Sequence, residues 1–237
     1  KMLEHLRGWH FNTLGAWHQR MYWGNGFPKT VEIRCSRYAK TVNKGWGQGF
    51  PDVFDPAFPA ACHKVMTEFF YEKGEALPED EGLIGYFTDN ELHWWGSLGV
   101  WGENAQGGTT ETGIVDDYMA LPSDRPGKQA WLKYLKETYG TVEALNRAWG
   151  SEYTEFDDLL PLAVYRARPD VLQKDKEAFL RRIAETYFRT TSSILKMYDP
   201  NHLNLGCRVV GSSTPKIVID VMKKYVDVVS MNFYSME

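Results

Sequence analysis

The chain has 237 residues, of which 43% are hydrophobic and 24% are charged, and its formal net charge is −4. No stretch approaches the roughly 18 consecutive apolar residues that a membrane-spanning helix requires, so the sequence predicts no membrane partner. The mild acidity leaves no basic stripe for a phosphate backbone, which argues against nucleic acid as a partner.

Short apolar runs alternate with longer amphipathic segments along the chain. Residues 1–8 carry apolar positions at helical spacing and end on Gly8, which is typical of the end of a helix, so we expect the chain to begin within a domain. The apolar runs predict strands over residues 9–16, 31–35, 83–88, 203–209 and 226–233. The amphipathic segments predict helices over residues 57–73, 126–139, 141–149, 170–198 and 215–225.

Strands that alternate with helices predict an α/β fold with a parallel sheet that is buried on both faces. Two Gly-rich and Trp-rich segments, 43–50 and 94–122, interrupt this alternation, and each follows the carboxyl end of a strand. Such loops build the active sites of (β/α)8 barrels, so we expect both segments, including Trp101, to border a binding site. A disordered surface loop is the alternative for each.

The cysteine and aromatic content limits the kinds of site that the chain is expected to form. Cys35, Cys62 and Cys207 are far apart and form no C-x-x-C pair, so we expect buried thiols and neither a disulfide framework nor a zinc site. No nucleotide-binding, metal-binding or serine-hydrolase motif occurs, and no cofactor is implied. The 9 Trp and 13 Tyr residues exceed what a core needs and suit stacking on sugar rings, although most of them are expected simply to pack.

The densest cluster of polar residues follows the strand predicted at 83–88. It consists of Asp89, Asn90, Glu91 and His93, followed by Trp94 and Trp95. A carboxylic acid among aromatic side chains suits a general acid, because apolar surroundings disfavour the ionised form. Strand alternation directs only one of Asn90 and Glu91 towards a ligand, so both reach it only if the strand ends there. A loop with incidental charges is the alternative.

The Asn90-Glu91 pair resembles the Asn-Glu signature that ends the fourth barrel strand in clan A glycoside hydrolases. Other segments resemble parts of that clan in the same order along the chain. Segment 11–17 resembles the second strand, and segment 50–56 resembles the approach to the third helix. Segments 199–208 and 225–234 resemble the fifth and sixth strands. Segments 50–56 and 199–208 are most similar to family 50 β-agarases, and segment 139–149 is similar to family 42 β-galactosidases. The resemblance implies a partial (β/α)8 TIM barrel, about strands 2 to 6 of eight, in a single incomplete domain over residues 1–237.

The resemblance also implies roles for individual residues. Glu91 would be the catalytic acid/base, Asn90 would bind the 2-hydroxyl of the sugar, and Tyr234 would orient the nucleophilic carboxylate. Further candidates for substrate contacts are Trp17, His18, His93, Trp94, Trp95 and Arg208.

The activity implied is that of a retaining glycoside hydrolase that cleaves β-galactosidic linkages in a galactose-containing polysaccharide such as agarose. The family takes its nucleophile from the seventh strand, roughly thirty residues past the sixth. We therefore expect it in the remaining barrel segments of a parent chain, with this chain alone inactive, unless Glu237 takes that place. Two alternatives are a β-galactosidase that acts on short oligosaccharides and a non-catalytic carbohydrate-binding barrel. A secreted or periplasmic location is expected for the parent protein.

Overall fold

The structure is a computed structural model, and it describes residues 1–44, 49–72, 77–99 and 112–234. The α-helices in these ranges are α1 (Met2–Gly8), α2 (Phe58–Thr67), α3 (Gly113–Met119), α4 (Pro126–Tyr139), α5 (Val142–Trp149), α6 (Pro169–Tyr198) and α7 (Lys216–Met222). The strands are β1 (Lys29–Glu32), β2 (Leu83–Phe87), β3 (Asp89–Asn90), β4 (Leu203–Asn204), β5 (Cys207–Val210) and β6 (Met231–Asn232). Strands therefore alternate with helices in an α/β fold, which confirms the predicted class.

The strands pair in parallel in the order of the chain. β1 pairs with β2 and β2 with β4, whereas β3 pairs with β5 and β5 with β6. Because β3 follows β2 after one residue and β5 follows β4 after two, the second set of pairings continues the first. The amide of Thr88 donates to the carbonyl oxygen of Gly206 at 2.9 Å and bridges the gap between the two sets. The carboxyl ends of successive strands consequently lie side by side.

Gly206 makes the break between β4 and β5 possible. Its φ is +67°, in the left-handed region that favours glycine, and a Cβ there would meet the Met222 methyl carbon at 2.4 Å. α7 therefore packs closely against this turn. The turn changes the chain direction so that β5 pairs with β3.

The limits of the long helices follow from local sequence. Proline occupies the first turn of α2, α4 and α6, where its missing N–H costs nothing. Gly140 and Gly150 follow α4 and α5 with positive φ. α6 ends at Tyr198, directly before the Asp199-Pro200 pair, because proline disfavours the helical conformation in the residue that precedes it.

Two carboxylates of segment 50–56 accept hydrogen bonds where two helices begin. Asp52 is fully buried and accepts a hydrogen bond from the amide of Gly127 at 3.1 Å, in the first turn of α4. Asp55 accepts from the amide of Ala57 at 2.9 Å, directly before α2. The carboxylates of this segment therefore satisfy one amide in the first turn of α4 and one directly before α2, neither of which has a partner within a helix.

Several predicted elements differ from the structure. In the predicted strand 9–16, Leu14 alone makes a bridge, to Lys29, because His10 adopts a left-handed φ of 63° and Trp9 and Phe11 are exposed. The predicted helix 57–73 changes to a π-helical turn at Glu68. Helix α3 was not predicted and lies within segment 94–122. Trp101, Glu237 and much of the two Gly-rich segments lie outside the described residues.

Candidate active site

The strand that contains Asn90 ends at that residue, and Glu91 turns away from it. Glu91 adopts φ +49°, and its amide still donates to the carbonyl oxygen of Arg208 at 2.8 Å. The Nε of Arg208 donates to Oδ1 of Asn90 at 2.7 Å. Strand alternation would direct the side chains of Asn90 and Glu91 to opposite faces of the sheet. The left-handed conformation of Glu91 breaks that alternation.

The Glu91 carboxylate receives two hydrogen bonds from the carboxyl end of β6. Asn232 Nδ2 donates to Oε1 of Glu91 at 2.5 Å, and the hydroxyl of Tyr234 donates to the same oxygen. Burial, together with the hydrogen bond to Glu91 and its charge, raises the pKa of Tyr234. Tyr234 is thus kept in the protonated form, in which it can donate.

A second group of contacts leads from Asn90 back to β1. The guanidinium of Arg208 lies 4.4 Å from the centre of the Trp17 ring and 5.0 Å from that of Phe87. Trp17 Nε1 donates to the carboxylate of Glu32, the last residue of β1. The structure therefore brings Trp17, Asn90, Glu91, Arg208 and Tyr234 together at adjacent strand ends.

Backbone strain occurs at two residues of this group, which we call the Glu91 cluster. Among the described residues, the non-glycine positions with positive φ are His10, Trp17, Arg34 and Glu91. A left-handed conformation costs a residue with a side chain about 1–2 kcal/mol. Trp17 and Glu91 belong to the cluster, and Arg34 Nε lies 3.3 Å from the Glu32 carboxylate. Strain of this kind persists where surrounding contacts impose it, which is common at functional sites.

The three residues that follow Glu91 in the predicted cluster have different surroundings. His93 is half-buried and stacks on Trp95, with ring centres 4.8 Å apart. Burial lowers the pKa of His93, while the charges of Asp117 and Glu91 oppose that shift.

Trp94 has no exposed surface, and its ring packs between Phe50 and Phe188 at 4.7 and 5.7 Å. Its predicted contact with a substrate is therefore corrected: the chain turns back after Glu91 and inserts this ring into the core. Trp95 is 4% exposed, so little of its surface faces solvent.

His18 follows Trp17 and has partners within its own segment. Its Nε2 accepts from Trp23 Nε1 at 2.5 Å, so Nδ1 carries the proton and donates to the carbonyl oxygen of Gly15. Its hydrogen bonds among the described residues therefore do not lead into the Glu91 cluster.

Two residues of the cluster were not singled out from the sequence. Glu32 lies between Val31 and Ile33 in the predicted strand 31–35, and a carboxylate in that place was an available signal. Asn232 lies two residues before Tyr234, so strand alternation places both on one face.

The cysteines are free, buried thiols, as predicted, and within the described ranges no group of three or more His, Cys, Asp or Glu side chains is arranged to hold a metal ion. None of the described helices is long and apolar enough to cross a membrane.

The chain is similar to several known glycoside hydrolases. The glycoside hydrolase 42 family model, described as beta-galactosidase, matches residues 119–237. Beta-agarase B and beta-agarase A from Vibrio sp. (strain JT0107) are each 28% identical to the chain over 98% of its length. The chain spans 24% and 23% of these two relatives, about a quarter of their length.

Solved structures show the same relationship. An exo-beta-agarase is 30% identical, with a TM-score of 0.82 over 99% of this chain and 30% of its own. A beta-galactosidase from the psychrophilic Marinomonas ef1 is 17% identical, with a TM-score of 0.59 over 98% of this chain and 38% of its own, and it shares the fold. Because the family model covers half of the chain, the chain belongs to glycoside hydrolase family 42 as that model defines it, and over nearly its whole length it is similar to β-agarases.

Proposed function

We propose that this chain supplies the acid/base part of the active site of a retaining glycoside hydrolase, and that its substrate is an agarose-like polysaccharide. The observation that carries the proposal is the position of Glu91. It follows a buried parallel strand, its carboxylate accepts from Asn232 and Tyr234, and Asn90 beside it is oriented by Arg208. The similarity to β-agarases over 98% of the chain supports the same assignment.

In this proposal Glu91 acts twice. As an acid it transfers its proton to the glycosidic oxygen while the bond to the sugar breaks, and as a base it later takes a proton from the water that attacks the glycosyl-enzyme. The donors on Oε1 define where that oxygen lies, so the orientation of the carboxyl group is set before the substrate binds.

The orientation of Asn90 follows from its partner. Arg208 has donors and no acceptor, so the amide oxygen of Asn90 faces Arg208 and the amide NH2 faces away from it. Asn90 therefore presents donors to a ligand, which suits a bond to the 2-hydroxyl of a sugar. Such a bond strengthens as the oxocarbenium-like transition state forms. His93, Trp17 and Arg208 complete the proposed substrate contacts. Trp94 belongs to the core, and Trp95, which is 4% exposed, and His18 are kept as further candidates.

We further propose that the chain forms strands 2 to 6 of a (β/α)8 barrel, as one domain. The parallel pairing in chain order supports this arrangement. A retaining mechanism needs a second carboxylate about 5–5.5 Å from the first. The family resemblance assigns that group to the strand after β6, so we expect other barrel segments of the protein to supply it and this chain alone to have no turnover.

Two substrates distinguish the proposal from a β-galactosidase, the function that the family model of the second half favours. The protein that carries this chain is assayed for reducing-sugar release from agarose and for hydrolysis of a nitrophenyl β-galactoside, beside its Glu91→Gln variant. We expect the larger activity on agarose and its loss in the variant. Larger activity on the galactoside would favour the β-galactosidase, and activity on neither substrate would contradict the proposal.

A further inference from the structure

The last residue of β1, Glu32, lies on the face of the sheet opposite the core. Val31 and Ile33 pack in the hydrophobic core, so strand alternation directs Glu32 to the other face. Glu32 is in register with Phe87 of β2, and the Phe87 ring contacts the guanidinium of Arg208. Glu32 therefore lies on the face that carries the proposed site.

The carboxylate of Glu32 is held away from water. Its side chain is 6% exposed, it accepts the indole N–H of Trp17, and Arg34 Nε lies 3.3 Å away. A carboxylate in such surroundings is costly to bury unless hydrogen bonds and charge compensate it. The contacts with Trp17 and Arg34 provide this compensation, and they fix the position of the indole in return.

Trp17 is not held by burial. It is 60% exposed and adopts φ +68°, so neither core packing nor backbone preference accounts for its orientation. One face of its ring is covered by Arg208 at 4.4 Å, and Arg208 in turn donates to Asn90 at 2.7 Å. The contacts thus run without interruption from Glu32 through Trp17 and Arg208 to Asn90.

We propose that Glu32 is a positioning residue for Asn90, acting through Trp17 and Arg208. Glu32 fixes the plane of the indole, the indole fixes the guanidinium, and the guanidinium fixes the direction of the Asn90 amide. The inference rests on the proposed function, because it assigns to Asn90 a contact that matters during hydrolysis. Loss of Glu32 therefore lowers kcat more than it raises KM.

The first test compares Glu32→Ala, Glu32→Gln and Glu68→Ala in the protein that carries this chain. Glu68 is a matched control, because it accepts from the Tyr38 hydroxyl at 2.8 Å and lies 3.9 Å from Arg37, in the turn after α2. We expect Glu32→Ala to lower kcat/KM about 10- to 100-fold, the cost of a small misplacement of a group at an active site. Glu32→Gln keeps an oxygen acceptor for the indole and recovers most of the rate. Equal losses in Glu32→Ala and Glu68→Ala would overturn the inference.

A double-mutant cycle tests whether Glu32 acts through Asn90. If it does, the variant with both Glu32→Ala and Asn90→Ala is no slower than Asn90→Ala alone. When Glu68→Ala is combined with Asn90→Ala, the fold-changes in rate of the two single variants are expected to multiply. Multiplied losses for the Glu32 and Asn90 pair would show that the two act independently and would overturn the inference.

The state of Trp17 is measured separately from activity. The protein is labelled with 5-fluorotryptophan, and its 19F signal at position 17 is assigned with Trp17→Phe. We expect the signal to shift in Glu32→Ala and not in Glu68→Ala. A shift without a change in rate would overturn the inference while leaving the proposed function intact.

Should Glu32→Ala fail to fold, Trp17→Phe removes the same N–H donor and is expected to lower kcat, with a rise in KM as well, because Trp17 is itself a proposed substrate contact. An unchanged kcat in Trp17→Phe would overturn the inference. Inactivity of the unsubstituted protein on both galactose substrates would contradict the proposed function itself, and the inference with it.

Discussion

The hydroxyl of Tyr234 donates a hydrogen bond to Oε1 of Glu91, although 143 positions separate the two residues. Parallel pairing of β3 with β5 and of β5 with β6 brings their strand ends together. Asn232 shares the same acceptor oxygen at 2.5 Å. The surroundings of the proposed acid/base are therefore assembled from two distant segments, and variants of either segment are expected to affect the same chemical step.

In the protein that carries this chain, replacing Glu91 by Gln should slow hydrolysis most where the leaving group needs a proton. We expect a loss of about 10²- to 10⁴-fold on agarose oligosaccharides, the usual contribution of general acid catalysis. A dinitrophenyl glycoside, whose leaving group needs no proton, should lose much less. Glu68→Gln serves as the control, and equal losses on both substrates would exclude Glu91 as the acid.

Removing the hydroxyl of Tyr234 tests the contact with Glu91 directly. Tyr234→Phe keeps the ring and deletes the donor, and a hydrogen bond to a charged group contributes about 1.5–3 kcal/mol. We expect kcat/KM to fall by about 10- to 100-fold, measured on agarose oligosaccharides. Tyr71→Phe, which alters an exposed tyrosine after α2, should leave kcat/KM unchanged. A Tyr234→Phe enzyme with full activity would remove Tyr234 from the proposed site.

Asp175 of α6 should contribute to stability rather than to chemistry. Its buried carboxylate accepts from the Tyr134 hydroxyl at 2.9 Å, the Tyr139 hydroxyl at 2.7 Å and Trp149 Nε1 at 2.8 Å. Burial and the bond to Asp175 raise the pKa of Tyr139 to about 12, so it remains a donor at neutral pH.

Asp175→Ala leaves those three donors without their acceptor, so we expect the free energy of unfolding to fall by about 3 kcal/mol or more. Denaturant unfolding measures this loss. The exposed Asp170→Ala, in the first turn of the same helix, should change the free energy of unfolding by less than about 1 kcal/mol. Similar effects of the two variants would contradict the importance of these contacts.

The buried thiols should make stability fall in alkaline solution. Burial, with the charge of Asp89, raises the pKa of Cys62 above its ordinary range. An unfolded thiol titrates near 8.5, so above that pH the unfolded chain loses a proton that the folded chain keeps. The free energy of unfolding should therefore decrease as pH rises from about 8 to 10, by at most about 1.4 kcal/mol per pH unit for each thiol.

Cys62→Ala should make this decrease shallower. Met66→Ala, a fully buried neighbour in α2 that does not titrate, should lower stability without changing the slope. Identical slopes in the two variants would contradict the assignment of the pH dependence to the thiol.

Local signals in the sequence were sufficient for the helices α4, α5 and α6. Proline at the start of α4 and α6 and glycine after α4 and α5 act on the backbone of the residues beside them. The predicted limits of these helices therefore agree with the structure to within one residue. Strand positions were predicted less well, because a strand ends where its neighbour stops pairing, and neighbouring strands are distant in sequence.

The sequence by itself determined the α/β alternation, the burial of the cysteines and the place of Asn90-Glu91 at the end of a strand. Each depends on the order of apolar and polar residues along a short segment. Only the tertiary structure decided that Trp94 enters the core, that Asn232 and Tyr234 share an oxygen of Glu91, and that Glu32 holds Trp17. These contacts join residues from different strands, loops and helices, and parallel pairing brings those segments together only after the chain has folded.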